Sequence, residues 1–133
     1  MAIGIATSVR NSRMDEIKTA IDAGAGAGLL RIYDGVRPAT GGAATTLLAE
    51  LTFDDPSFPA ASSGAITADP INSDPAANNT GTATWFRCVD SNGVFVLDGD
   101  ASTAGADLNL NSVSIIAGVQ VEVTSIILTD GNA

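Results

Sequence analysis

The sequence predicts a mainly β protein, either an antiparallel β-sandwich or a jelly-roll-like barrel of about eight strands, with one short N-terminal helix. Apolar and polar residues alternate with a period of two in most segments of residues 29–133. Clusters of Gly, Pro, Asn and Asp separate these segments at spacings typical of sandwiches and barrels. Residues 1–28 instead contain a stretch with helical spacing of apolar side chains. We therefore expect an arm, a helix and a glycine hinge in residues 1–28, followed by a β body in residues 29–133.

The N-terminal helix is predicted from its boundary signals. Met1–Val9 is expected to be an extended arm or an edge strand. Ser12, followed three residues later by Asp15, has the pattern of a capping box, which predicts a helix over Arg13–Ala23. The run Gly24–Gly28 comes next, and its glycines are suited to ending a helix and redirecting the chain.

The strands are predicted from alternation and from the turn residues around them. Leu47–Phe53 is favoured as a strand over a helix at Thr45–Leu51, because of its threonines and its alternation. Thr80–Val89 places Trp85 and Phe86 on opposite faces, so one is expected in the core and the other under a loop or an interface. The other predicted strands are Leu29–Asp34, Ala65–Thr67, Val94–Leu97, Leu108–Asn111, Val113–Ile116 and Val119–Leu128. The predicted loops, turns and tail are Asp54–Ser63, Asp69–Asn79, the Asp90–Gly93 hairpin turn, Asp98–Gly105 and Asp130–Ala133.

Reactive side chains are scarce in this sequence. It contains no histidine, one cysteine (Cys88), one lysine and one tyrosine. These are among the groups that most often move protons or attack carbonyls near neutral pH, so we expect no catalytic residue and no enzyme. Cys88 lies in an apolar strand and is predicted to be a small core residue.

The overall composition also limits the possible partners. A net charge of −9 and a pI of about 4.1 disfavour binding to nucleic acid. No apolar run approaches the roughly 20 residues that span a bilayer, and no signal peptide is evident, so we expect no membrane partner.

Three patterns resemble ligand sites, and each has a simpler explanation. Gly24–Gly28 follows a predicted helix, whereas a dinucleotide-binding glycine loop precedes one. Asp54-Asp55 and Asp98-Gly99-Asp100 could contribute to a calcium site, but the glycine and glutamate of an EF-hand are missing and aspartate is common in turns. Pairs of carboxylates could cleave a glycosidic bond, but most fall in predicted turns. The sequence therefore predicts no cofactor and no metal ligand, with bound calcium left open.

Charge is unevenly distributed along the chain. Residues 1–37 contain five cations and four carboxylates, whereas the remainder contains one cation and eleven carboxylates. This asymmetry suggests a docking segment at the N-terminus, and the alternative is a helix that covers one open end of the sandwich. The cations predicted to lie at a protein–protein interface are Arg10, Arg13, Lys18, Arg31, Arg37 and Arg87.

Four stretches resemble small structural proteins from the virions of tailed bacteriophages. They are Leu29–Gly35 with Arg37–Thr40, then Leu47–Phe53, Gly81–Arg87 and Leu108–Asn111. The resemblance covers most of the chain after the helix, and its motifs concern the fold rather than catalysis.

The resemblance implies a capsid decoration (cement) protein that binds the major capsid protein and associates with itself as a dimer or trimer. Such a protein would be made in the bacterial host cytoplasm and would be located on the capsid surface of the virion. A tail or head–tail subunit is the alternative. A carbohydrate-binding adhesion module is a further alternative from another functional class, although the sequence offers few aromatic residues to stack on sugars.

Overall fold

The protein is mainly β, as predicted, in a computed structural model that describes residues 3–130. Within this range one helix, α1 (Thr7–Ile21), precedes nine strands. The strands are β1 (Leu29–Tyr33), β2 (Leu47–Thr52), β3 (Ala65–Thr67), β4 (Gly81–Thr82), β5 (Trp85–Val89), β6 (Phe95–Ser102), β7 (Leu108–Leu110), β8 (Ser114–Ile115) and β9 (Val123–Thr129). The start of the predicted arm, at residues 1–2, and the end of the predicted tail, at residues 131–133, lie outside the described residues.

Seven strands form one curled sheet in the order β2-β1-β5-β6-β7-β9-β3, and β4 and β8 form a small second sheet. The result is roughly a half-barrel or sandwich. The prediction of an antiparallel arrangement is wrong at one place, because β6 and β7 run parallel over the pairs Ala101–Leu108 and Ser102–Asn109. Residues 103–107 form a loop between these strands instead of a hairpin turn. The chain therefore enters β7 beside the end of β6 and runs in the same direction as β6.

The strand predicted at Thr80–Val89 is two strands, which accounts for nine strands instead of about eight. β4 pairs with β8 in the small sheet, whereas β5 pairs with β1 and β6 in the large one. Between them, the Ala83 amide donates to the Val113 carbonyl and the Thr84 amide donates to the Tyr33 carbonyl. The chain therefore changes sheets at these two residues, a change that alternation in the sequence does not reveal.

Helix α1 begins six residues earlier than predicted, and the predicted arm is helical from Thr7 onward. Ser12 is not the N-cap, because it lies inside the helix and its hydroxyl donates to the Ser8 carbonyl. The first turns are held by contacts with the β body: the Arg10 guanidinium donates to the carbonyl of Asp130, and the Asn11 side chain accepts from a loop amide. Tertiary contacts of this kind override local capping signals.

The hairpin between β5 and β6 has the predicted turn but a longer second strand. The Asp90 carboxylate accepts hydrogen bonds from the amides of Asn92 and Val94, and Gly93 has the positive φ that the turn requires. The prediction of a turn at Asp98–Gly105 is wrong for its first half, because β6 continues to Ser102. Gly99 is a strand residue whose missing side chain makes room for the ring of Phe86 on β5.

The core lies on one face of the large sheet. Leu30 and Ile32 of β1 and Phe86 and Cys88 of β5 point into it, as the alternation of a strand requires. Met14 and Ile21 of α1 belong to the same buried cluster. Helix and strands thus share one core.

The opposite face of β2, β1, β5 and β6 is called the outer face here. The residues of this face discussed below are Arg31, Tyr33, Glu50, Trp85, Arg87, Phe95, Asp98 and Asp100. Trp85 and Phe86 are both fully buried, on opposite faces of the sheet. Phe86 lies in the core, whereas Trp85 lies on the outer face and is covered by the loop of residues 34–46.

Candidate functional site

Arg87 and Asp98 form the central polar contact of the outer face. Arg87 Nε lies 2.6 Å from Asp98 Oδ1, and Arg87 Nη2 lies 3.0 Å from Asp98 Oδ2. The Asp98 side chain is 1% exposed and that of Arg87 is 12% exposed. The hydrogen bonds that Arg87 donates to Asp98 raise the pKa of Arg87, although partial burial acts in the opposite direction. The pair is therefore a fixed part of the structure.

A row of four charged side chains crosses the outer face at the same level of the sheet. Glu50, Arg31, Arg87 and Asp98 are successive cross-strand neighbours on β2, β1, β5 and β6. Each arginine pairs outward, so Arg31 Nε contacts a Glu50 carboxylate oxygen at 2.8 Å and Arg87 contacts Asp98. The two like charges at the centre are each compensated by a neighbouring carboxylate.

The loop of residues 34–46 is held on the outer face by the same groups. Arg87 Nη2 donates to the Gly42 carbonyl at 2.8 Å, and Asp98 Oδ2 accepts from the Gly41 amide at 3.1 Å. Arg37 lies on this loop and contacts Asp100 Oδ1 at 3.3 Å. This pair is exposed, unlike the pair beneath it.

An aromatic stack lies under the start of the loop. The rings of Tyr33 and Trp85 are stacked with centroids 4.4 Å apart. Trp85 Nε1 donates at 3.0 Å to both the Asp34 carbonyl and the Thr45 hydroxyl, and the Thr45 hydroxyl donates to the Asp34 carbonyl. The stack therefore supports the two ends of the loop and is not available to a ligand.

The cations predicted on α1 are divided between internal contacts and the surface. Arg10 donates twice to the Asp130 carbonyl, and Arg13 Nη1 lies 3.2 Å from Asp130 Oδ2. These contacts join the helix to the end of β9. Lys18 forms no ion pair with another described residue.

Helix α1 also binds the loop that follows β2. The side-chain oxygens of Asn11, Asp15 and Asp22 accept hydrogen bonds from the loop amides. The donors are, in the same order, Gly64, Ala61 and Ser57, at 2.8, 2.8 and 3.1 Å. The helix and this loop therefore run past each other in opposite directions, joined at three points.

The edge strand β2 is covered by the loop of residues 68–80. The Asp74 carboxylate accepts from the Glu50 amide at 3.0 Å, and the Asn78 amide donates to the Leu48 carbonyl at 2.8 Å. Backbone hydrogen bonds also join Asp74 to Val121 in both directions. Covering an edge in this way reduces its ability to pair with a strand of another chain.

A shallow groove of about 170 Å³ lies beside β8 and the turn that follows it. Ile116 and Val119 line it and are exposed. Among residues 3–130, no three metal-ligating side chains come together at this groove or elsewhere.

The structure locates the side chains that the sequence suggested as reactive or metal-binding. Cys88 is fully buried, and burial raises the pKa of its thiol. Asp98 is bound to Arg87, whereas Asp54 and Asp55 are exposed.

No helix in the described part of the chain is long and apolar enough to cross a membrane.

Sequence reasoning selected the cations and missed their anionic partners. Asp98 could not be paired with Arg87 from the sequence, because the register of the Asp90–Gly93 hairpin alone places Leu97 opposite Arg87 and a bulge between Cys88 and Val89 shifts Asp98 to that position. Asp130 gave no signal either, because Arg10 and Arg13, which contact it, are distant in the sequence. The chain matches no protein-family model, no curated protein and no solved structure.

Proposed function

We propose that this chain is a non-enzymatic structural protein of a tailed-phage virion. It binds the major capsid protein at the capsid surface and stabilises the capsid as a decoration or cement protein, after synthesis in the bacterial host cytoplasm. The proposal combines the resemblance of the strand segments to small virion proteins with the way in which the polar side chains are used.

This proposal rests mainly on the observation that the long loops are held in place by hydrogen bonds. The loops of residues 34–46, 53–64 and 68–80 are each held by side-chain to backbone hydrogen bonds. A surface whose loops are already ordered loses less conformational entropy when it binds a partner. An irregular surface whose loops are held in place suits a protein whose work is contact.

The internal ion pairs determine which charged side chains remain available to contact the capsid protein. Five of the six predicted interface cations contact carboxylates or carbonyls of their own chain. The exposed carboxylates that lie outside these pairs include Glu16, Asp54, Asp55, Asp107 and Glu122. Electrostatic attraction to a capsid would therefore act between these carboxylates and basic residues of the capsid protein.

An adhesion module that binds carbohydrate is less well supported. Sugar-binding surfaces present aromatic rings to solvent, but five of the six aromatic side chains are buried, including Trp85 and Tyr33. Phe95 is the exposed one.

Counting and locating the chain in intact particles tests the proposal. Particles purified from the strain that encodes the chain would be analysed by quantitative mass spectrometry and by immunogold labelling with antibodies against the purified protein. We expect a copy number comparable to that of the major capsid protein and label over the head. Label in rings along the tail would replace the capsid role with the tail role, and particles without the chain would overturn both.

A further inference from the structure

Two exposed apolar side chains lie at the outer face. Val36 is 85% exposed and Phe95 is 38% exposed. The Arg87 guanidinium lies over the Phe95 ring, 5.1 Å from its centroid. Val36 is next to Arg37, whose guanidinium donates to the Asp98 carbonyl. Both side chains thus lie beside the same group of charged residues.

Charge on this face is balanced, although the molecule as a whole is strongly acidic. The pairs Arg31–Glu50, Arg37–Asp100 and Arg87–Asp98 contribute three cations and three carboxylates. The chain has six cations and fifteen carboxylates, so the rest of the molecule has three cations against twelve carboxylates. The outer face therefore differs from its surroundings in charge.

We propose that the outer face is the contact surface of a homodimer with two-fold symmetry. Two copies that each carry a charge of −9 repel each other, and the repulsion is least where cations and carboxylates balance. Apolar side chains at that position supply the favourable free energy of contact. A second copy fits this surface better than a basic partner, because the outer face has no excess negative charge to attract one.

The exposed pair Arg37–Asp100 fits a two-fold interface in particular. In such an interface residue i of one copy contacts residue j of the other, and j contacts i. Arg37 and Asp100 meet through one contact of 3.3 Å and both are accessible. Each arginine can therefore exchange its own aspartate for that of the second copy without leaving a charge unpaired. This proposal concerns the isolated protein and does not depend on a role in the virion.

Sedimentation equilibrium of the purified full chain tests the apolar part. The wild type is expected to dimerise, and Val36→Asp and Phe95→Asp are each expected to weaken the dimer at least about tenfold. Ile127→Asp is the matched control, because Ile127 is a strand residue on β9 with 44% exposure. Val36 is almost wholly exposed, so its substitution leaves folding intact, and circular dichroism checks this for each variant.

Charge reversal tests the two-fold geometry. Arg37→Asp and Asp100→Arg are each expected to be monomeric alone, because each homodimer would bring two like-charged pairs together. An equimolar mixture of the two variants is expected to form a heterodimer, since both cross-pairs then have opposite charges. A wild type that stays monomeric over the accessible concentration range would overturn the proposal. A dimer weakened equally by Ile127→Asp, or a mixture that does not associate, would also overturn it.

Discussion

Arg87 and Asp98 face each other directly across β5 and β6, and the same two side chains hold adjacent residues of the loop that covers them. The guanidinium donates to the Gly42 carbonyl, and the carboxylate accepts from the Gly41 amide. One ion pair therefore joins two strands and also fixes the middle of a long loop. We therefore expect the position of the loop to depend on a pair that lies almost entirely beneath it.

Asp98→Asn should lower the free energy of unfolding by about 3 kcal/mol, because it leaves the largely buried Arg87 charge without its counter-ion. The measurement is urea unfolding at neutral pH. Glu50→Gln is the control, because the Arg31–Glu50 pair is more exposed and should contribute only about 0–1 kcal/mol. Equal losses in the two variants would contradict a special role for the Arg87–Asp98 pair.

Local patterns in the sequence were sufficient to predict most strands. The alternation in Leu47–Phe53 correctly favoured a strand over a helix, and the Asp90–Gly93 turn was placed correctly. Such predictions succeed where the signal lies within a few residues, as side-chain alternation and turn chemistry do. Ala65–Thr67 was predicted with its observed bounds for the same reason.

The errors occurred where distant residues determine the local structure. The early start of α1 depends on Arg10 and Asn11, which contact residues more than fifty positions away. β6 extends beyond Leu97 because Asp98, Gly99 and Asp100 pair with β5, where Gly99 leaves room for the ring of Phe86. The arginines contact groups of their own chain because the sheet register and the backbone carbonyls place acceptors beside them. None of these partners can be identified from one sequence, so the predicted interface cations could not be separated from structural ones.

Asp15→Ala should detach one of the three points that join α1 to the loop after β2. It removes the acceptor of the Ala61 amide, and we expect a loss of about 1–3 kcal/mol of folding free energy. Glu16→Ala is the matched control, because Glu16 is the next residue on the helix and is exposed. Hydrogen exchange should show faster exchange at the Ala61 amide in Asp15→Ala alone. Unchanged exchange at that amide would show that the carboxylate does not hold the loop.

Gly99→Ala should destabilise the protein by about 1–3 kcal/mol through overpacking. An added methyl group at residue 99 would lie 2.5 Å from the ring of Phe86, which is fully buried. Gly4→Ala is the control, because an added methyl group there meets no atom within 4 Å. Thermal unfolding of the two variants provides the comparison. A Gly99→Ala variant as stable as Gly4→Ala would show that the sheet can relax at this position.

The stability of the protein should fall as the pH rises above about 9, and part of this fall should come from Cys88. Burial raises the pKa of the Cys88 thiol in the folded state, whereas the thiol of the unfolded chain ionises near its ordinary value of 9.0. Above that pH the unfolded state binds fewer protons than the folded state, so the free energy of unfolding decreases with pH. The slope due to this one group approaches about 1.4 kcal/mol per pH unit.

Urea unfolding from pH 7 upward, for the wild type and Cys88→Ala, measures this slope. The cavity left by the substitution lowers stability by an amount independent of pH, so the difference between the two curves isolates the thiol. Curves that stay parallel above pH 9 would show that the thiol ionises in the folded state as readily as in the unfolded one.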